Sequence, residues 1–238
     1  MAPHPNPQFH PMEINPTTGE PFLRLESHPN IIITPTRPED APRVVELLSD
    51  KRVYGWLCSP PHPYLPEHAH GWLQTTKSSA DDILAQLEAA KDDTELKTVD
   101  GCPVRSIREV REDGTDVFLG DIGFMLSYQT FELEPLGRTK QDAPRRDPER
   151  PDVWSCGDYL APSHHGRGIM SDAFGTVLRK WGIPRMGVKQ MVVSASKGNQ
   201  GSVRVFEKNG FKLRDTYSDA LVVRGILTSV HVLDWTLE

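Results

Sequence analysis

No stretch of this 238-residue chain approaches the roughly 18 consecutive apolar residues of a membrane-spanning helix. No membrane association is expected. The N-terminus, MAPHPNPQFHPMEINPTTGEPF, lacks the apolar block of a secretory signal and the Arg-rich pattern of a transit peptide. Cysteine is scarce: Cys58, Cys102 and Cys156 have no C-x-x-C spacing, and an odd number cannot all pair. A reduced, soluble protein of the cytoplasm, or also of the nucleus, is expected. The phosphate-binding run G-x-x-x-x-G-K-[ST] occurs nowhere. A net charge of −6 provides no general basic face, so nucleic acid is not an expected partner. His62, His68 and His70 lack a further ligand at recognisable spacing, so no metal is expected.

What is present is a chain with 37% hydrophobic residues, enough for the core of one large domain. Residues 1–27 contain six prolines and little periodicity, and predict a flexible or draped arm. Residues 28–238 form a single domain. Within it, residues 128–151 hold four prolines and ten charges and read as an inserted loop.

Ile31 to Thr34 predict a β-branched strand, and a helix follows with Val44, Val45, Leu47 and Leu48 on its inner side. The proline-punctuated PPHPYLPEHAHGWL leads into a short helix near Glu67. Residues 79–91 make a second helical segment through Ile83, Leu84 and Leu87. Strands are expected at 103–111 and 115–127 around the turn EDGT, with a bulge where apolar parity slips at Gly120-Asp121. Another strand, 153–160, precedes SHHGRGIMSDAF and a helix that Gly182 and Pro184 stop. VKQMVVSA is a strand, residues 202–208 a short helix ended by Asn209-Gly210, and the tail adds one or two strands. The order indicates a mixed α/β or α+β fold with crossover units. Trp72, Trp181 and Trp235 are assigned to the core.

The pair Gly166 and Gly168 before a helix serves equally as a tight turn or as a cradle for phosphate. The dinucleotide fingerprint G-x-G-x-x-G/A fails at its last position, which is Ser171. Charge collects around this loop. From Ser163 to Arg214 there are ten basic and two acidic residues, a balance of +8, against −14 for the remainder. Arg179 and Lys180 also complement a helix C-terminus, and a polyphosphate ligand suits such surroundings.

PSHHGRGIMSDAF, followed some thirty residues later by NQGSVRVFEKNGF, resembles the GCN5-related N-acetyltransferase (GNAT) family, in its ribosomal-protein N-terminal (Rim-type) branch. The matches fall at Gly166, Gly168, Asn199, Ser202, Glu207, Lys208, Gly210 and Phe211. TPTRPEDAPRVVELLSD and SPPHPYLPEHAHGWL resemble the branch's opening segments, so the likeness spans about 30 to 238. It departs at Ser163, where the family carries Gln or Arg, and in the insertion and the arm.

The resemblance implies a mostly antiparallel central sheet with a splayed strand, flanked by helices, and acetyl-CoA as cofactor. It implies a primary amine as acceptor: a peptide N-terminus, a lysine or a small amine, attacking the thioester directly. Leu160 would lie near the thioester, and the backbone of His165, Gly166, Arg167, Gly168, Ile169 and Met170 would hold the pyrophosphate. Asn199 would bond the pantetheine, with Phe206 packed beside it. Ser202 is the candidate proton donor to the departing thiolate or the cap of its helix, and Asp158 the candidate base or a solvated carboxylate. Tyr159 points to the other face of its strand. His164 and His165 bracket a phosphate or are ordinary loop histidines. A non-catalytic CoA-binding module on the same fold stands as the alternative, and monomer and homodimer are equally compatible with the sequence.

Overall fold

The computed structural model describes residues 4–127 and 152–238. The expected insertion at 128–151 lies outside the described residues.

The chain begins with β1 (Glu13–Ile14) and β2 (Pro21–Arg24). The described part of the arm, from His4, packs against the rest of the molecule. Phe9, Met12, Phe22, Leu23 and Leu25 are all buried. Burial of five large apolar side chains holds it there, beside the pairing of β1 with β2 and of β2 with β3. Strand β3 (Ile31–Thr34) buries all four residues, as a β-branched run does when both faces are covered. Helix α1 (Ala41–Ser49) buries Val44, Leu47 and Leu48, and one short turn, α2 (Lys51–Tyr54), follows.

Helix α3 (Pro66–Ala89) is one continuous helix of 24 residues rather than two segments. The polar run in its middle looks like a break, but its hydroxyls fold back on the helix. Thr75 Oγ1 donates to the Gly71 carbonyl at 2.9 Å, Thr76 Oγ1 to that of Trp72 at 3.0 Å, and Ser79 Oγ to that of Thr75 at 3.1 Å. Ala69, Leu73, Thr76, Ala80 and Leu87 supply the buried seam.

Strands β4 (Ser106–Val110) and β5 (Asp116–Leu126) pair across the expected turn. Ile107 faces Gly120 but Arg108 faces Phe118, so the bulge residue is Leu119, one position before the parity slip. Strand β6 (Trp154–Leu160) pairs with β5 along its whole length. Helix α4 (Ile169–Val177) runs through a π-helical turn, Leu178–Gly182, into α5 (Ile183–Met186). The stop is Gly187 at φ +66°, not Gly182. Pro184 sits just after the widened turn, at the start of a helix, where its missing N–H is not needed.

Strand β7 (Gln190–Ser196), helix α6 (Gln200–Glu207) and the hairpin β8 (Lys212–Val223) and β9 (Ile226–Thr236) complete the chain. Among the described residues, nine strands form one open sheet in the order β1-β2-β3-β4-β5-β6-β7-β9-β8. Every pairing in it is antiparallel except β6 with β7. Among the described residues no helix is long and apolar enough to cross a membrane.

Candidate active site

Strands β6 and β7 pair at one position, Trp154 with Met191, near the start of both. Beyond it the ladder is not continued, so the backbone of β6 from Cys156 to Leu160 presents an edge toward a cleft. Both strands lead at their carboxyl ends into helices, α4 and α6. Ligands of open sheets collect at such a point, outside the carboxyl ends of parallel strands whose connections diverge.

The loop that closes the cleft after β6 is set by two glycines. Gly166 has φ +72° and Gly168 φ +82°, a region that costs other residues backbone strain. A Cβ at Gly166 would meet nothing within 4 Å, so its conformation and not crowding calls for glycine. The amides of Gly166, Arg167 and Gly168 meet no acceptor among the described residues. Those of Ile169 and Met170 belong to the first turn of α4, where a helix leaves its N–H groups unpaired. Five successive donors at the positive end of a helix dipole form an anion cradle. The side chains of Ile169 and Met170 are themselves buried, so only their amides face outward.

The two histidines of the loop behave differently. His164 is buried, with Nδ1 2.9 Å from Ser163 Oγ and Nε2 3.3 Å from Glu109 Oε2, and so is turned away from the cradle. His165 places Nε2 2.7 Å from the Leu160 carbonyl, while the next amide, that of Ala161, donates to Leu119 at 2.6 Å. The end of β6 is thereby fixed relative to the loop.

Asp158 lies in β6 opposite Ile122 and is half-buried. Loss of solvent, with the charge of Asp121 adding to it, pushes its carboxyl up to about 6. It shares a strand face with Leu160 by alternation. On α6 the cap is Asn199, whose side chain accepts from the Ser202 amide at 3.2 Å. Ser202 is therefore not the cap of its helix. Its hydroxyl is half-buried, and Asn199 has its NH2 group to offer a ligand. Phe206 does not line the cleft. It is 1% exposed and locked edge-on against Phe174 at 5.4 Å, with Phe211 at 5.5 Å. Aromatic packing outcompetes ligand contact at that position.

The opposite face of β5 and β6 holds a group that sequence reasoning missed. Arg105 donates to both carboxylate oxygens of Asp121, at 2.8 and 2.7 Å. The guanidinium occupies the space over Gly123, where a Cβ would stand 2.5 Å from Nη2. It also lies 5.0 Å from the Trp72 ring centre. Trp72 is 42% exposed and so is a surface aromatic, not core. Tyr159 pairs in register with Asp121 on this face, and burial followed by that charge pushes its hydroxyl well above the usual tyrosine value. Tyr64 is pushed the same way by the same two causes. Trp181 is fully buried, donating to the Gly101 carbonyl at 2.9 Å, and Trp235 is partly buried against Phe211. His68 accepts from the Leu65 amide at 3.0 Å, and His62 stacks on Tyr54 at 4.3 Å.

The fold is an open, mostly antiparallel sheet with one splayed parallel pair and a run of unpaired amides at the mouth of the splay. A family model described as an acetyltransferase (GNAT) domain matches residues 30–212. The chain belongs to the GNAT acetyltransferase family. Solved structures similar to it include a GNAT-family acetyltransferase from Bacillus anthracis, at TM-score 0.59 and 14% identity, covering 90% of this chain and 98% of that one. RimL, a ribosomal L7/L12 alpha-N-protein acetyltransferase solved with coenzyme A, gives 0.59 and 14% over 91% and 98%. A ribosomal-protein-S5-alanine acetyltransferase from Vibrio fischeri gives 0.57 and 14% over 90% and 96%. No curated protein matches the sequence significantly.

Proposed function

We propose that the chain is an acetyl-CoA-dependent N-acetyltransferase that moves an acetyl group to a primary amine by direct attack in a ternary complex. The observation that carries this reading is the run of unpaired amides from Gly166 to Met170, beside the edge of β6 that β7 leaves free. The donor set fits a pyrophosphate: five N–H groups, no side chain at the two glycines, and the exposed Arg167 between them. When bound, acetyl-CoA supplies an activated thioester, with Leu160 at the end of β6 as its neighbour.

The remaining work falls to this chain's own groups. An amine with a pKa near ~10 must shed a proton before it attacks. Asp158, held near 6, is ionised at neutral pH and is the group to take that proton, directly or through water. A backbone N–H on the free edge of β6 donates to the oxygen on which charge develops. Ser202, whose hydroxyl is not spent on capping, donates to the departing sulfur. Likeness to protein alpha-N-acetyltransferases supports a protein N-terminus as one acceptor class, beside lysines and small amines. Three free thiols suit a reducing compartment and support a cytoplasmic or nuclear location.

The test is incubation with acetyl-CoA and a panel of peptide and small amines, following free thiol. Acceptor-dependent thiol release is expected. CoA at a hundredfold excess over its dissociation constant should also stabilise the fold by about 2.7 kcal/mol. Stabilisation without turnover on any amine would favour a non-catalytic CoA-binding module, and no stabilisation would reject both.

A further inference from the structure

The family model begins at residue 30, yet two residues before it reach the cradle. The Ser27 amide donates to Asp172 Oδ2 at 2.9 Å, and His28 Nδ1 lies 2.8 Å from the same oxygen. His28 Nε2 lies 3.1 Å from the carbonyl oxygen of Arg167. Both partners are acceptors, so each contact is made by a ring nitrogen that donates. The arm that delivers this ring is itself anchored farther along the same helical segment. Glu26 pairs with Lys180 at 3.1 Å, and the Arg185 guanidinium donates to the carbonyls of Gln8 and His10.

The contact with Arg167 decides where a neighbouring amide points. In a trans peptide the C=O and the following N–H face opposite ways. A hydrogen bond that holds the Arg167 oxygen toward the arm therefore turns the Gly168 N–H away from the arm. Gly168, at φ +82°, is the residue that lets the plane adopt this attitude. Asp172 raises a second matter. Its carboxylate stands in the first turn of α4, where it would repel an arriving phosphate. Ser27 and His28 engage that carboxylate from the arm side with hydrogen bonds.

We propose that His28 is a positioning residue for the cofactor: it fixes the Arg167–Gly168 peptide so that the cradle is formed before ligand arrives. This rests on the reading of the loop as the pyrophosphate site of coenzyme A. It makes the arm, which lies outside the family model, a working part of that site.

Three variants separate the contacts. His28→Gln places an amide donor about where Nε2 stands and can keep the bond to Arg167. His28→Asn places one about where Nδ1 stands and can keep only the bond to Asp172. His28→Ala keeps neither. The readouts are the CoA dissociation constant, the KM for acetyl-CoA against that for the acceptor, and hydrogen exchange of the Asp172 amide in free protein. That amide donates to the Gly168 carbonyl at 3.0 Å and so reports the loop without ligand.

Ala and Asn should weaken CoA about tenfold, the ratio set by about 1.4 kcal/mol. Both should raise the KM for acetyl-CoA alike, leave kcat and the acceptor KM unchanged, and speed exchange at Asp172. Gln should stay within about threefold of wild type, since a comparable hydrogen bond is retained. An unchanged CoA affinity in Ala, or equal behaviour of Asn and Gln, overturns the proposal. So does a fall in melting temperature with CoA affinity intact, which marks a merely structural tether. Wild-type protein that binds no CoA overturns the cofactor reading and this one together, whereas wild-type binding with an indifferent Ala variant overturns this one alone.

Discussion

Asp158 is where stability and chemistry oppose each other most directly. Its folded-state value of about 6 lies above the unfolded one, so the folded protein holds its proton more tightly. The sign follows: stability is highest below the unfolded value and is lost as pH rises through about 6, where the buried carboxyl ionises. Asp158→Asn should therefore raise stability at pH 7 by roughly 1–3 kcal/mol, with no gain at pH 4. The same variant should lower kcat by about 10²–10⁴-fold and remove the acidic limb of the rate profile near pH 6. Denaturant melts at the two pH values, with a pH–rate profile, check both. Activity that keeps its limb in the variant would assign the base elsewhere. The two glycines could be picked out because G-x-G before a helix is a local pattern, while Asp158 and Ser202 were nominated through the family resemblance. His28 was not, since its partners stand 144 and 139 positions away. Arg105 and Asp121 were missed for a related reason: nothing in their spacing says that Gly123 leaves room for a guanidinium between them.

At the scale of elements, the cradle and the helix behind it are distinguishable by one substitution. Gly166→Ala introduces a methyl that meets no protein atom within 4 Å but must sit at φ +72°. The expected cost to stability is about 1–2 kcal/mol of backbone strain. CoA affinity should fall by more than that loss accounts for, because the methyl enters the space the anion needs. Calorimetric titration beside a thermal melt measures the two separately, and unaltered CoA binding would remove Gly166 from the site. Strands β3, β5 and β6 were readable from β-branching and parity. Helix α3 was not read whole, because its threonines and serines resemble a break until their hydroxyls are seen bonded to carbonyls four residues back. The end of the segment after α4 was misjudged for another reason. A π-helical turn absorbs Gly182, Pro184 falls just after it, and the helix runs on to Gly187.

For the whole molecule, β6 and β7 share a single pair, Trp154 with Met191, and the strands described on the two sides of that seam are expected to unfold as separate blocks. Hydrogen bonding hardly spans that seam; aromatic packing does. Phe174 of α4 touches Phe124 of β5 at 5.2 Å on one side and both Phe206 and Phe211 on the other, at 5.4 Å each. One ring is thus the keystone between β1–β6 and β7–β9. Phe174→Ala should cost about 3–5 kcal/mol, and the loss should not be shared evenly. Amide exchange in β7, β8 and β9 should uncouple from that in β3, β4 and β5 and run ahead of it, as separate units of unfolding do. Uniform acceleration across all nine strands would mean that the blocks are one. In a molecule arranged this way, a ligand that bridges the seam should hold the two sides together, so filling the cleft is expected to slow heat unfolding.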